Sequence, residues 1–183
     1  TQQEYLHDAR AAAHHLMTLI TDVLGYAQSD PGRPTLAKEP VQVGPIVEEV
    51  ASLLEALAAK KDLLLTVSCE EGLSLMGDAL RVKQVLLNLM GNAVKFTPRR
   101  GRVELVARAI DGGCEFCVTD TGPGIARDEH EAVFGPFHQA DSSTARKQSG
   151  TGLGLALVKR WAEAMNGKVE LTSWFATAKL RSL

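Results

Sequence analysis

Hydrophobic residues recur at steps of three and four along much of the chain, and this spacing predicts amphipathic helices. The longest such stretch contains no Gly or Pro before Gly25 that would interrupt it. Another opens at Asp78, a residue type that favours the N-cap position, and a third ends at Asn166 and Gly167, a typical helix C-terminus. The predicted helices cover residues 4–28, 40–61, 78–94, 128–133 and 153–165.

Shorter runs of apolar residues predict strands. Two of these runs are joined by Asp111, Gly112 and Gly113, which favour a hairpin turn. The predicted strands cover residues 63–69, 101–110, 114–120, 168–173 and 177–183, with a short extended piece at 39–41. Together these elements predict an α+β fold: a two-layer α/β sandwich with helices on one face of a mixed, mostly antiparallel sheet, preceded by a long helix.

A break in the pattern separates the long first helix from the rest of the chain. Residues 29–34 contain two prolines and a glycine, which stop a helix and mark a linker. A lone amphipathic helix cannot bury its apolar stripe, so residues 4–28 need a partner helix. We therefore divide the chain into a helical segment at 1–29, a linker at 30–40 and a compact domain at 41–183.

Composition narrows the classes of function. The 183 residues include 20 basic and 22 acidic side chains, and a net charge of −2 gives no attraction to nucleic acid or to an anionic membrane. No apolar run reaches the roughly 18 residues of a membrane helix. Three cysteines fit a reducing compartment. Cys114 and Cys117 are expected on opposite faces of one strand, which favours packed thiols over a zinc or redox pair.

The third predicted helix carries polar residues that could bind a nucleotide. Asn88, Asn92 and Lys95 lie four and three residues apart, so they share one helix face. Amide oxygens suit Mg²⁺, which keeps several waters and completes its shell with phosphate oxygens. Lys95 can meet phosphate charge directly. The alternative is a solvated helix face with no ligand.

A second candidate segment follows a predicted strand directly. Asp120, at the strand end, can accept a hydrogen bond from an exocyclic amine such as that of adenine. Gly122 and Gly124 would let the backbone approach a flat ring closely. The alternative is an ordinary turn.

The third candidate is a glycine-rich run that opens the last predicted helix. Gly150, Gly152 and Gly154 expose backbone N–H groups, and a helix N-terminus favours anions. The run is not a P-loop, because no Gly-Lys-Ser/Thr follows, and it is not a Rossmann fingerprint, because it follows a loop. Taken alone, it could be only a flexible hinge.

The three segments occur together and in this order, with a long polar loop between the second and the third. In this respect the chain resembles the catalytic and ATP-binding domain of a sensor histidine kinase, of the GHKL ATPase superfamily, over about residues 5–173. The matching segments are 88–97 for the family's N box, 120–124 for its G1 box, 134–137 for its F box, 137–147 for its ATP lid and 150–154 for its G2 box.

The resemblance implies ATP and Mg²⁺ as cofactors and a role for each matching residue. Asn92, helped by Asn88, would bind the metal, and Lys95 would steady the phosphates, so these three form the catalytic group. Asp120 would recognise adenine in a pocket shaped by Gly122 and Gly124. The remaining nucleotide-binding candidates, in the lid and the glycine-rich run, are Phe137, Arg146, Lys147, Gly150, Thr151, Gly152, Leu153 and Gly154. Phe134 and Phe137 would anchor the lid or simply pack in the core.

The phosphoacceptor histidine is expected outside this segment. Residues 5–27 resemble the family's second dimerisation helix, with His15 opening its His-Leu stretch. His7 is a poor acceptor candidate, because no Thr/Asn-Pro follows Arg10 and too few residues separate it from the linker. The partners implied are the phosphoacceptor helix of the kinase's own dimer and a response regulator or receiver domain, in a homodimeric cytoplasmic protein or the cytoplasmic part of a membrane-bound sensor. No nucleic acid and no membrane contact by this segment are expected.

The function implied is transfer of the ATP γ-phosphoryl group to that histidine in a two-component system. The alternative is a degenerate nucleotide-binding scaffold without kinase activity. An ATP-hydrolysing relative would need a Glu as general base four residues before Asn92, where this chain has Asn88. A serine-kinase relative would have no need of the helix at 5–27. One departure from the family lies at 174–177, where its usual Gly-x-Gly-Thr is replaced by Trp-Phe-Ala-Thr.

Overall fold

The computed structural model describes residues 36–138, 151–173 and, for the backbone, 177–181. Its α-helices are α1 (Val43–Lys60), α2 (Ala79–Phe96) and α3 (Gly154–Ala164). Its strands are β1 (Glu39–Gln42), β2 (Leu64–Cys69), β3 (Ser74–Gly77), β4 (Arg102–Ile110), β5 (Gly113–Asp120), β6 (Lys168–Thr172) and β7 (Thr177–Arg181). Two 3-10 helices, Arg127–Glu129 and Ala132–Phe134, lie between β5 and α3.

The main sheet has five strands in the order β2-β4-β5-β7-β6. Only the β2–β4 pair is parallel, and the other three pairs are antiparallel. A separate two-stranded antiparallel ladder joins β1 to β3. The predicted α+β class and the mixed, mostly antiparallel sheet are therefore confirmed.

The core lies between one face of this sheet and the helices. In β4 the residues Val103, Leu105 and Ala107 alternate with exposed or half-buried neighbours, as expected for a strand with one covered face. Phe116 and Val118 of β5 stand opposite Ala107 and Leu105 and are also buried. The apolar alternation therefore fixes which face of the sheet the helices cover.

Helix α2 follows the predicted pattern closely. The side chain of Asp78 accepts a hydrogen bond from the backbone N–H of Arg81 at 3.2 Å, which caps the helix as predicted. The predicted core positions of this helix are all buried: Val82, Val85, Leu86, Leu89, Met90 and Ala93. The helix continues to Phe96, two residues past its predicted end. The polar side of α2 is thereby turned away from the core.

Three details of the elements were predicted wrongly. The short strand β3 was missed, because four residues with Ser and Gly at their ends carry no clear period, and β3 forms only by pairing with β1 more than 30 residues earlier. Helix α1 begins at Val43, since Pro40 belongs to the β1–β3 ladder. The segment 128–133 is two 3-10 turns, in which the ring Nε2 of His130 contacts the carbonyl oxygen of Ile125 at 3.0 Å.

The strands predicted at 63–69, 101–110, 114–120, 168–173 and 177–183 all form, with ends shifted by one or two residues. The hairpin turn also forms, with Gly112 at φ 80°. Cys114 is buried, whereas Cys117 on the other face is half-buried, and neither forms a disulfide. In the described ranges no helix is both long enough and apolar enough to cross a membrane. The predicted helix at 4–28, the linker residues before 36 and the departure at 174–176 lie outside the described residues.

Candidate functional site

The polar face of α2 lies against the first turn of α3. Gly154 begins α3, and a Cβ atom placed on it would lie 3.2 Å from Oδ1 of Asn88 and 3.7 Å from Nδ2 of Asn92. The two amides therefore meet the end of α3 at which free backbone N–H groups and the helix dipole favour an anion. Glycine at 154 permits this approach, because a side chain there would press on Asn88.

The residues just before α3 fix the position of its first turn. The backbone N–H of Leu153 donates to Oγ1 of Thr151 at 3.1 Å, and the Leu153 side chain is buried. Gly152 has φ 69°, and a Cβ there would lie 2.8 Å from the carbonyl oxygen of His138. Only glycine fits this position, so the glycine-rich run is held against the end of the 134–138 segment.

Asp120 ends β5 on the face that the helices cover. Its Oδ1 accepts a hydrogen bond from the backbone N–H of Gly122 at 2.6 Å. Gly122 is buried, and a Cβ on it would lie 2.6 Å from Oδ1 of Asp120 and 3.5 Å from the carbonyl oxygen of Phe96 at the end of α2. Gly124 has φ 75°, which favours glycine. The Asp120 loop therefore lies against the same helix as Asn88 and Asn92, about one turn further along.

Burial controls the charge of Asp120. Burial raises the pKa of this carboxyl group above its ordinary value, and the hydrogen bond from Gly122 acts in the opposite direction. The Thr97 hydroxyl also acts to lower this pKa. Thr97 Oγ1 is buried, and in the described part of the chain no atom forms a hydrogen bond of good geometry with it. A polar ligand beside Asp120 would give this hydroxyl a partner.

Lys95 is half-buried on α2 between the two groups. Its Nζ lies 4.9 Å from the centre of the Phe96 ring, and burial lowers the pKa of its ammonium group. An anion nearby would favour the charged form of this lysine. Its position is therefore compatible with a role at the phosphates of a nucleotide.

The donor set fits a small, hard cation. Asn88 and Asn92 each have one amide oxygen as a possible metal ligand, and their side chains lie at the N-terminus of α3, where phosphate oxygens could complete a coordination shell. Within the ranges that the structure describes, no group of three or more His, Cys, Asp and Glu residues forms a metal site of its own.

The structure places five of the predicted site residues in two contacts. Asn88, Asn92 and Gly154 form one contact, and Asp120, Gly122 and the end of α2 form the other. Phe134 is half-buried, whereas the ring of Phe137 is 67% exposed and does not pack in the core. Arg146, Lys147 and Gly150 lie outside the described residues.

Two residues at this site were not found from the sequence. Thr97 lies at the end of the segment 88–97 that resembles the N box but was given no role of its own, and Lys61 was assigned no function. The Thr97-Pro98 pair was the available signal for the first, since Pro98 forces the preceding residue out of the helix. Nothing in the sequence near Lys61 points to α2, because their contact joins residues more than 30 positions apart.

A separate cleft of about 550 Å³ lies between the second 3-10 helix, α3 and β6. It is lined by His130, Glu131, Phe134, Lys159, Val169 and Leu171. It contains none of the amides, the carboxylate or the glycines discussed above. The candidate site is therefore defined by its converging polar groups and not by this cleft.

Comparison with known proteins agrees with this geometry. Residues 77–179 match the family described as "Histidine kinase-, DNA gyrase B-, and HSP90-like ATPase". The matched range contains α2, the Asp120 loop and α3, so it includes both contacts of the candidate site.

Curated relatives match nearly the whole chain. The signal transduction histidine-protein kinase BarA of Escherichia coli is 32% identical over 180 residues, which are 94% of this chain and 20% of that protein. The sensor histidine kinase GacS of Pseudomonas protegens is 35% identical over 181 residues, 94% of this chain and 19% of that protein. The chain thus spans about a fifth of the length of these relatives.

Solved structures share the fold. The full-length ShkA structure in complex with AMPPNP is 36% identical, with a TM-score of 0.81, and covers 98% of this chain and 37% of its own. A mycobacterial sensor histidine kinase, MprB, is 28% identical with a TM-score of 0.67, over 79% of this chain and all of its own. The histidine kinase ThkA in complex with the response regulator TrrA is 21% identical with a TM-score of 0.75, over 98% of this chain and 50% of its own, and it supports the fold alone.

Proposed function

Since this chain belongs to the family of histidine kinase-, DNA gyrase B- and HSP90-like ATPases, we propose that it supplies the ATP site of a two-component sensor kinase. It is an ATP-binding catalytic domain of the histidine-kinase type. In the proposed reaction, the γ-phosphoryl group moves from ATP to a histidine outside this segment. One observation carries the proposal: the amides of Asn88 and Asn92 meet the N-terminus of α3 at Gly154.

This contact would bind the phosphate end of ATP. The backbone N–H groups of the first turn of α3 and the glycines before it would donate to phosphate oxygens. Lys95 would add a positive charge, and the negative charge of ATP would in turn keep this half-buried lysine protonated. Arg146 and Lys147, which the structure does not describe, are further candidates for the γ-phosphate.

Asn92 and Asn88 are proposed to hold Mg²⁺ together with the phosphates. When bound, such an ion offsets the negative charge that develops on the phosphates during transfer. The supporting observation is the pair of amide side chains beside the N-terminus of α3, with Oδ1 of Asn88 as the atom nearest to Gly154.

Asp120 would bind the adenine end. Its free carboxylate oxygen would accept a hydrogen bond from the exocyclic amine of adenine, while Oδ1 stays bonded to the N–H of Gly122. The buried hydroxyl of Thr97, which lies close enough to Asp120 to lower its pKa, would bond to the base directly or through a water. Gly122 and Gly124 leave room for the flat ring.

The transfer step requires little covalent work from this domain. An imidazole nitrogen of the acceptor histidine forms a bond to the γ-phosphorus, the bond from that phosphorus to the bridging oxygen breaks, and ADP leaves. The ring proton passes to a base supplied beside that histidine. The residues of this chain would hold the γ-phosphoryl group so that the imidazole nitrogen attacks opposite the bridging oxygen that leaves.

The partners proposed follow from this reaction. The acceptor would lie on a helix of the kinase's own homodimer, to which residues 1–29 would contribute a second helix, with 30–40 as linker. A response regulator or receiver domain would then take the phosphoryl group in the cytoplasm. The curated relatives BarA and GacS, 32% and 35% identical to this chain, are named as signal transduction and sensor histidine kinases, and this supports a place in such a phosphotransfer.

Two rival functions have less support. A scaffold that had lost ATP binding would not be expected to keep Asn92, Asp120 and Gly154 in contact with their neighbours. An ATP hydrolase would need a carboxylate to activate water on the α2 face, where Asn88 lies next to Gly154.

Titration of a fluorescent ATP analogue with Mg²⁺ tests the site. Asn92→Ala and Asp120→Ala are each expected to weaken binding by about tenfold to a hundredfold, since each removes a bond to a charged or buried polar group. Asp128→Ala is the control, because Asp128 is exposed and lies outside the site. Equal affinity in all of these proteins would refute the assignment.

A further inference from the structure

The ammonium group of Lys61 lies where three carbonyl groups converge at the end of α2. Lys61 follows α1 directly, and its Nζ donates to the carbonyl oxygens of Val94 at 2.9 Å, Lys95 at 2.7 Å and Thr97 at 2.8 Å. An ammonium group has three donors, and here each one has an acceptor. Burial lowers the pKa of Lys61, as expected for a cation partly withdrawn from water.

These carbonyl groups need a donor because of how α2 ends. The backbone N–H of Thr97 still bonds to Ala93, but Pro98 has no N–H that could bond to Val94 in the next helical position. Thr97 itself is extended, at φ −65° and ψ 129°, which turns the chain away from the helix axis. Lys61 therefore supplies the bonds that the helix lacks, with a positive charge at the negative end of its dipole.

The turn held by Lys61 is in contact with the adenine end of the site. A Cβ on Gly101 would overlap Cγ2 of Thr97 and would lie 2.8 Å from Oγ1 of Thr121. Thr121 directly follows Asp120 in the chain. Its Oγ1 accepts a hydrogen bond from the backbone N–H of Arg102 at 2.9 Å. The packing continues from Lys61 through Thr97 to the loop that begins at Asp120.

Backbone hydrogen bonds also join the segment after α1 to the segment after α2. The carbonyl oxygen of Lys61 accepts from the N–H of Arg100 at 3.0 Å, and the N–H of Leu64 donates to the carbonyl oxygen of Gly101 at 2.9 Å. The segment after α1 and the segment after α2 thus hold each other. Of these bonds, only those of the Lys61 side chain reach the last turn of α2 itself.

Lys61 bonds to the end of α2 through backbone carbonyl groups, and we propose that it is a positioning residue of the nucleotide site. It fixes the end of α2 and Thr97, and through them it holds Asp120 and Gly122 in the geometry that receives the adenine base. This inference rests on the proposed role of Asp120 in adenine recognition.

Lys61→Met tests the proposal, because it keeps most of the apolar stem and removes the three donors. Binding of ADP, measured by calorimetry well below the unfolding temperature, is expected to weaken about tenfold. The N–H signal of Gly122, which reports its bond to Asp120, is expected to shift in the NMR spectrum. A role confined to stability would lower the unfolding temperature and leave both quantities unchanged.

Two further variants make the outcome decisive. Lys60→Met changes the exposed neighbouring lysine in the same way and is expected to alter neither ADP affinity nor the Gly122 signal. Lys61→Gln retains one donor group and serves as the test if Lys61→Met does not fold. Unchanged affinity and an unchanged Gly122 signal in the folded Lys61 variant would overturn the proposal.

The Asp120→Ala variant separates this inference from the proposed function. If Asp120→Ala weakens ADP binding and Lys61→Met does not, the positioning role is wrong and the site stands. If neither variant changes the affinity, the site assignment fails as well.

Discussion

At the scale of single residues, Asp120 shows the conflict between stability and ligand recognition most clearly. Its carboxyl group is partly withdrawn from water at the end of β5, and this desolvation outweighs the hydrogen bond from Gly122 in setting the direction of its pKa. Partial burial makes this acid costly to keep charged, because its carboxylate loses part of its hydration. A partly buried carboxylate where β5 meets the end of α2 lowers stability, and such groups are typical of binding sites.

The pH dependence of stability should therefore contain a signature of Asp120. Because its pKa in the folded state is raised above the ordinary 3.8, the folded protein holds this proton to higher pH than the unfolded chain does. Its contribution to stability is complete below about pH 3.8 and is lost as the pH rises through the folded-state pKa.

Asp120→Asn removes this pH dependence, because the side chain stays neutral at every pH while it keeps an acceptor for the N–H of Gly122. We expect the free energy of unfolding at neutral pH to rise, and the difference between variant and wild type to grow with pH from about 4 upward. Urea unfolding measured at a series of pH values gives this difference. If the free energies of unfolding of the two proteins changed with pH in parallel, burial would not destabilise the charged form of Asp120.

At the scale of elements, the decisive contact is that of α2 with α3. Both helices bury an apolar stripe against the sheet, and their polar edges meet where Gly154 faces Asn88 and Asn92. Trp161 of α3 adds a buried ring, over which the Arg81 guanidinium of α2 lies at 4.1 Å from the ring centre. This pair therefore holds α2 and α3 together at the opposite end of their contact from Gly154.

Gly154→Ala probes the close end of this contact. The added Cβ would stand 3.2 Å from Oδ1 of Asn88, so the amide must move by a few tenths of an ångström. We expect binding of a fluorescent ATP analogue with Mg²⁺ to weaken about threefold to tenfold, because catalytic and binding groups tolerate little displacement.

Gly44→Ala in α1 is the matched control for that substitution. A Cβ on Gly44 would meet no atom within 4 Å. It is expected to stabilise the protein by about 0.4–1 kcal/mol through the unfolded chain and to leave nucleotide affinity unchanged. If Gly154→Ala behaved in the same way in both measurements, the contact with Asn88 would have no role in binding.

At the scale of the whole molecule, the proposed function needs a part that this domain does not provide. The chain spans about a fifth of BarA and of GacS, so those proteins contain much besides an ATP site. In the proposed reaction the acceptor histidine comes from a helix outside this segment, and the domain must meet it for transfer.

The chain by itself is therefore expected to bind ATP without becoming phosphorylated. Incubation with ATP labelled at the γ-position should leave no acid-labile label on it, whereas photo-crosslinking of an ATP analogue to the same sample should succeed. Label that appeared on the wild type and was absent from His7→Ala would show that the acceptor lies within residues 1–29 after all.

The sequence by itself determined the elements that depend on neighbouring residues and the chemistry that they carry. The period of α2 put Asn88, Asn92 and Lys95 on one face, the alternation in β4 and β5 ended at Asp120, and the glycine-rich run preceded a helix. Each of these patterns is local, because helix and strand periods are set by the backbone within a few residues.

Only the tertiary structure decided which of these groups meet. Strand β3 exists through its pairing with β1, Gly154 was required by the approach of α2, and Lys61 completes the end of a helix more than 30 residues further along the chain. Such contacts join residues distant in sequence, and their partners are chosen by packing and by the need to satisfy backbone groups in the folded chain.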